Sequence, residues 1–214
     1  LENKLLFPRT WALAGYCHEL AEPGDAVPVE VAGVPLILLR TRKTGEIAGF
    51  QNVCRHRGTQ LLSKPCKGAM ALACPYHGWT YSLEGKLLKR PLFEGPDGHG
   101  EETDLQLFAV RIALWHDLIF VNLDGKAPAF EDYVAPLEKH AAGYNLASLR
   151  HAGTLTWEIA ANWKFIHENF TDSYHVPWCH PSLEKWSPVV THRAFTDGPV
   201  LINGHPIPQE KLGE

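Results

Sequence analysis

Between residues 27 and 123 the apolar positions fall in short runs, separated by turns containing Gly, Asp, Asn or His. Val29–Val31 and Leu36–Arg40 flank Gly33, and Ile47–Val53 follows the turn signal Thr44-Gly45. Trp79–Leu83 and Lys86–Leu88 flank Glu84-Gly85, the pattern of a hairpin. Leu107–Leu114 and Leu118–Leu123 are separated by His116-Asp117. Residues 95–100 are rich in Gly and Pro and read as a loop. The pattern predicts a small antiparallel β domain.

After Asp124 the period changes. Residues 128–143 read as a helix, with Phe130, Tyr133, Val134 and Leu137 on one face. Residues 149–160 read as a further strand. Asn162 is an acceptable N-cap for a helix reaching about Tyr174, and Pro177 stops it because a proline pushes the preceding residue out of the α region. From Pro181 onward Pro and Gly are too frequent for a packed domain. The expected fold is therefore α+β: an antiparallel β domain over 1–145 and the start of an α+β domain over 146–214, which looks incomplete.

Composition narrows the function classes. The chain has 214 residues, 45% hydrophobic and 21% charged, with a net charge of −4. With no long basic run, a nucleic-acid partner is not expected. The longest strongly apolar stretch, Val34 to Leu39, is interrupted by Pro35 and is too short to span a bilayer. No charged-then-apolar leader opens the chain, so the expected location is the cytoplasm. Five cysteines, an odd number, argue against a disulfide framework, whereas twelve histidines suit metal ligation.

Two short motifs carry the chemistry. Cys54-Arg-His56-Arg-Gly58 and Cys74-Pro-Tyr-His77-Gly-Trp79 each offer one thiolate and one imidazole. In a Rieske [2Fe–2S] centre two Cys bind one iron and two His bind the other. Mixed Cys/His loops supply that division, and Gly58 and Gly78 allow tight turns. Two readings compete with it: unrelated Cys/His pairs, and a closed Cys₂His₂ zinc site.

These loops resemble the Rieske domain of the ring-hydroxylating oxygenase family, in its oxygenase α subunits. Respiratory Rieske proteins are less similar, since they carry an extra disulfide-bonded cysteine in each loop. Thr59 and Tyr76 stand about where those would be. They also have a serine at the position of Trp79. The resemblance thus implies a cluster near the low end of the Rieske range, about −150 mV. Cys66, between the loops, reads as an ordinary thiol.

Downstream the sequence runs Glu168-Asn169-Phe-Thr-Asp172-Ser-Tyr-His175-Val-Pro177-Trp178-Cys-His180. On one continuous helix Glu168, Asp172 and His175 would form a stripe, with Asn169 on its flank. His180 lies beyond the proline. Two His and a carboxylate with open positions form the facial triad of non-haem Fe(II) oxygenases. Taken alone, His-x₄-His is a weak signal; beside a Rieske motif it gains weight.

The same family resemblance makes His175 and His180 ligands of a mononuclear Fe(II). It makes Asp172 an acid bridging His175 to a Rieske histidine, His77, of a neighbouring subunit. Asn169 would sit near the iron without being a firm ligand. The family's third ligand, a late aspartate, has no counterpart in a helical pattern among Glu184, Asp197, Glu210 and Glu214. The resemblance further implies a helix-grip-like catalytic domain in 146–214. It implies electrons from an NAD(P)H-dependent reductase, directly or through a ferredoxin. It implies O₂ activation for hydroxylation or oxidative demethylation of an aromatic or other small organic substrate, and trimers of α subunits with or without β subunits. The alternative is a Rieske ferredoxin-type electron carrier, which would not need residues 162–181.

Overall fold

A computed structural model of the protein describes residues 1–92, 105–198 and 200–204. The loop expected at 95–100 lies outside the described residues. The chain divides into two compact units, Leu1–Asp132 and Tyr133–Glu214.

The first unit opens with a single-turn helix α1 (Glu2–Leu5) and strand β1 (Ala12–Tyr16). It continues with β2 (Ala26–Val31), β3 (Val34–Arg40) and β4 (Ile47–Gln51). Then come three short strands, β5 (Leu72–Ala73), β6 (Thr80–Tyr81) and β7 (Leu87–Lys89). It closes with β8 (Ala109–Trp115) and β9 (Leu118–Asn122). All pairings are antiparallel: a six-stranded sheet in the order β1-β9-β8-β4-β3-β2 and a three-stranded sheet in the order β5-β6-β7. The hairpin expected around Glu84-Gly85 is present as β6–β7.

The apolar run of β3 is buried on both faces, as a continuous rather than alternating pattern implies. Leu36 and Leu38 enter one core with Leu20, Val27, Ile119 and Val121. Ile37 and Leu39 enter the other with Phe50, Leu61, Leu72, Trp79 and Tyr81. That second core also contains Cys54 and Cys74, so the ligand loops are rooted in packed hydrophobic structure.

The stretch joining the two ligand loops is stapled down. Asp25 is 2% exposed and accepts from Lys67 Nζ at 3.0 Å, from the Glu22 amide at 3.1 Å and from the Gly68 amide at 3.3 Å. Burial pushes its pKa up, but these donors outweigh burial and hold it below the usual carboxylate range. A backbone bridge between Ala26 and Cys66 adds a second fastening. All five cysteines are free thiols.

The second unit holds most of α2 (Phe130–Ala141), then α3 (Trp163–Thr171), α4 (Val176–Cys179) and α5 (Pro181–Trp186). It ends in a hairpin of β10 (Arg193–Asp197) and β11 (Val200–Gly204). In α2, Phe130 is buried and Tyr133, Val134 and Leu137 are half-buried, the face expected. Two expectations fail. Residues 149–160 form no strand: Leu155, Trp157 and Ile159 alternate correctly, yet all are exposed, and no strand among the described residues pairs with them. The helix expected to reach Tyr174 stops at Thr171. Asp172 leaves the helical region, and its carboxylate accepts from the Tyr174 amide at 2.8 Å. Such local side-chain bonds compete with the helix ladder. Pro177 then sits in the first turn of α4, a place where its missing N–H costs nothing. Among the described residues no helix is long and apolar enough to cross a membrane.

Candidate metal centres

The two ligand loops share one backbone frame. In the first, the Cys54 carbonyl accepts from the Gly58 amide at 3.0 Å and the Cys54 amide donates to the Thr59 carbonyl at 2.8 Å. In the second, the Cys74 carbonyl accepts from the Gly78 amide at 3.0 Å and the Cys74 amide donates to the Trp79 carbonyl at 2.8 Å. Each ring closes through a left-handed residue, Gly58 at φ +73° and Gly78 at φ +71°. L-side chains rarely adopt that conformation, and a Cβ at Gly78 would also press on Pro91 at 3.3 Å. The loops therefore match in frame although one reads Cys-x-His and the other Cys-x-x-His.

The frame sorts the side chains by element. Cys54 and Cys74 are buried and lie within reach of each other. His56 and His77 come together separately, with their Nδ1 atoms 3.1 Å apart and ring centroids 4.7 Å apart. This is the two-plus-two division that a Rieske centre requires, with two imidazole nitrogens directed at one space. A closed zinc site would instead gather four ligands about one point. Among the described residues no three His, Cys, Asp or Glu side chains converge in that way. The residues present fit a [2Fe–2S] cluster.

Two neighbours, Tyr81 and Asn52, were not singled out in the sequence, and Trp79 was read there only for its bearing on the potential. Tyr81 is fully buried; its hydroxyl lies 3.5 Å from Cys54 Sγ and accepts from the Arg55 amide at 3.1 Å. Burial first, then the bond with Cys54, pushes the phenol far above its usual pKa, so it keeps its proton as a donor to the sulfur. Burial likewise pushes the Cys54 thiol up. Trp79 is 1% exposed and its ring stacks on His56, with centroids 4.7 Å apart and planes 9° apart. Asn52, also buried, accepts from the Leu61 and Leu62 amides and donates to the Leu62 carbonyl, which fixes the chain leaving the first loop. The period-2 placement of Trp79 and Tyr81 was the available signal for those two.

Tyr81→Phe is expected to lower the cluster's midpoint potential by roughly 30–60 mV, because the reduced, more negative sulfur loses a hydrogen bond worth about 1 kcal/mol. A redox titration of variant and parent reads it; an unchanged potential would remove Tyr81 from any tuning role.

The second constellation lies where α3, α4 and α5 meet. Asn162 caps α3, accepting from the Lys164 amide at 3.0 Å. Asp172 is the C-cap of α3, His175 the N-cap of α4, and His180 the junction of α4 and α5. The single-helix stripe of Glu168, Asp172 and His175 is thus replaced by a turn, which still joins the last two: His175 Nδ1 donates to Asp172 Oδ2 at 3.3 Å. The rings of His175 and His180 lie 5.3 Å apart and 75° inclined. Asp172 is held below the usual carboxylate range by the Tyr174 amide and then by His175. Its bond to Nδ1 leaves His175 Nε2 as the metal-facing nitrogen. Asn169 is exposed on α3.

The tip of β11 reaches this turn, where Asn203 Nδ2 donates to the Thr171 carbonyl at 3.1 Å. Of the late carboxylates, Asp197 accepts from Lys139 at 2.8 Å and His140 at 2.9 Å, and Glu184 accepts from the Val189 amide at 3.0 Å. Both are committed elsewhere; Glu210 and Glu214 lie outside the described residues. The site supplies two imidazoles and an orienting carboxylate. Beside His180 an open cavity of about 390 Å³ is lined by Cys179, Pro181, Ser182 and Leu183.

Residues 10–95 match the Rieske [2Fe-2S] domain family, and residues 146–207 match the catalytic domain of the ring hydroxylating alpha subunit family. The chain is 36% identical, over 187 residues, to the glycine betaine monooxygenase oxygenase subunit of Chromohalobacter salexigens, covering 86% of this chain and 40% of that one. It is 34% identical to the large oxygenase component of the naphthalene 1,2-dioxygenase system of Pseudomonas aeruginosa, covering 85% and 41%. Among solved structures, a quaternary ammonium Rieske monooxygenase in complex with L-carnitine superposes with a TM-score of 0.82 at 26% identity, covering 94% of this chain and 57% of that one. The chain spans about half the length of the curated relatives it matches.

Proposed function

From a chain that joins a Rieske [2Fe-2S] domain to residues of a ring-hydroxylating alpha-subunit catalytic domain, and so belongs with the Rieske oxygenase subunits, we propose an oxygenase component that oxidises a small organic molecule with O₂. The observation that carries the reading is the presence, in one chain, of the twin Cys/His loops and of the Asp172–His175–His180 turn. An electron carrier needs only the first.

When bound, the cluster supplies one-electron storage and the mononuclear iron supplies O₂ activation. In this reading Cys54, Cys74, His56 and His77 hold the cluster. Trp79 keeps the His56 ring in plane, and Tyr81 donates to the Cys54 sulfur. His175 and His180 hold the iron. Asp172 orients His175 and, by its second oxygen, engages His77 of a neighbouring subunit in a trimer. Asn169 lines the iron site. We assign 1–145 to the Rieske domain and 146–214 to the catalytic domain. The electrons come from an NAD(P)H-dependent reductase, and the location is the cytoplasm.

For the substrate, a quaternary ammonium compound is the better supported class. Glycine betaine and carnitine monooxygenase subunits recur among the relatives. Trp178 and Trp186, both exposed, flank His180 in sequence and offer the ring faces that such cations take. The deciding assay is substrate-dependent O₂ uptake with glycine betaine, carnitine and naphthalene in turn.

Metal and acid-labile sulfide analysis of the purified chain tests the whole reading. About three irons per two sulfides is expected. Two irons per two sulfides favours the carrier, and zinc without sulfide eliminates both.

A further inference from the structure

The peptide that joins Thr171 to Asp172 is held from both sides. Its N–H, from Asp172, donates to the Glu168 carbonyl at 2.8 Å. Its carbonyl, from Thr171, is one of the last four of α3, which have no partner within the helix. That carbonyl accepts instead from Asn203 Nδ2 at 3.1 Å, from a residue 32 positions away. A peptide unit is planar, so fixing both groups fixes the plane from which Asp172 turns out of the helix. From that turn Asp172 reaches the Tyr174 amide and His175 Nδ1.

Asn203 is itself braced. It stands near the open end of the β10–β11 hairpin, opposite Ala194. Side chains alternate between the two faces of a strand. Phe195 and Asp197 therefore share one face, and Ala194 and Asn203 share the other. The first face is fastened to α2: Asp197 accepts from Lys139 and His140, and the Phe195 and His140 rings meet with centroids 5.3 Å apart. At the turn a Cβ on Gly198 would lie 3.7 Å from Pro136 of the same helix. The hairpin thus takes its footing on α2 with one face and reaches the end of α3 with the other.

The second amide atom argues against a purely stabilising role. Asn203 Oδ1 is buried, and among the described residues no donor meets it. Burying an acceptor without a donor costs about as much as one hydrogen bond gains. A side chain selected for stability alone would not combine the two; the amide's contribution is direction.

We propose that Asn203 is a positioning residue of the iron site: braced through the hairpin on α2, it holds the Thr171 carbonyl and so aims the turn that carries Asp172 and His175. The proposal rests on the oxygenase reading, in which His175 and His180 hold the iron.

The test uses the purified cluster-bearing chain. Fe(II) affinity of the second site is read by equilibrium dialysis, and its geometry by the EPR signal of the nitric oxide adduct. A parent chain that takes up no Fe(II) beyond the cluster fails the oxygenase reading itself. Asn203→Leu keeps the size and removes the donor. It should weaken Fe(II) binding roughly fivefold to tenfold and broaden the EPR signal, because a misaimed imidazole costs affinity. The cluster spectrum and potential should not change, and the thermal midpoint should move by no more than about 4 °C. Thr196→Val, on the same face of the hairpin, should change none of these. Asp197→Ala should weaken binding roughly twofold to threefold, and should add nothing to Asn203→Leu, since it acts through the same bond. Unchanged affinity and signal in Asn203→Leu overturn the proposal, as does an equal loss in Thr196→Val or an additive loss in the double variant. A collapse of the thermal midpoint in Asn203→Leu also overturns it, by making the bond a structural one.

Discussion

Replacing Asp172 with alanine is expected to slow turnover roughly 100-fold while leaving the cluster's spectrum and midpoint potential unchanged. Among the described residues the carboxylate is the only side chain hydrogen-bonded to His175, and it does two jobs from one turn. It accepts the Tyr174 amide, which ends α3 and sets the direction of the chain, and it holds Nδ1 of His175. Alanine removes both, so the ring loses its fixed tautomer and its orientation. Asp172→Asn keeps the shape and one acceptor oxygen, so its loss should be smaller. The decisive measurement is the rate at which a pre-reduced cluster is reoxidised in a single turnover. A normal rate in Asp172→Ala would remove the residue from electron delivery and leave it a helix cap.

The second large effect is on cluster retention. Cys74→Ala should abolish the cluster absorbance and lower the thermal midpoint, whereas Cys66→Ala should keep the full absorbance and shift stability by no more than about 1 kcal/mol. Both cysteines lie in the same sequence stretch and both pack at or against the same core. Only Cys74 is presented on a loop closed by a left-handed glycine. Equal loss in the two variants would mean that the core, rather than ligation, is what the substitutions disturb.

The Rieske loops were legible in the sequence because their information is local. A Cys, a His and a Gly within five or six residues define a closed frame, and the structure closes both frames with the same two bonds. The end of α3 was not legible by periodicity, since Asp172 and His175 keep a helical spacing through a turn that is not helical. There the carboxylate's own hydrogen bond overrides the pattern. Residues 149–160 failed for the opposite reason: Leu155, Trp157 and Ile159 have a strand's alternation, but a strand exists only with a partner. Asn52 and Tyr81 were missed because their importance lies in what they touch, ten and twenty-seven residues away.

The double-sided burial of β3 has a consequence for how this domain tolerates change. Leu36, Ile37, Leu38 and Leu39 are all fully buried and all aliphatic. A slip of one residue would exchange the two faces and still present hydrocarbon to both cores, so the middle of the strand carries almost no phase information. Phase must be stored at its ends. At one end the turn at Ala32 and Gly33 has positive φ at both residues; at the other, Arg40 donates to the carbonyls of Leu20 and Gly45. Aliphatic identity within 36–39 is therefore free to drift, while the tight turn and the arginine act as the two pins of a ruler. Shifting either pin would misplace β4, and with it the first thiolate, before any core contact was lost.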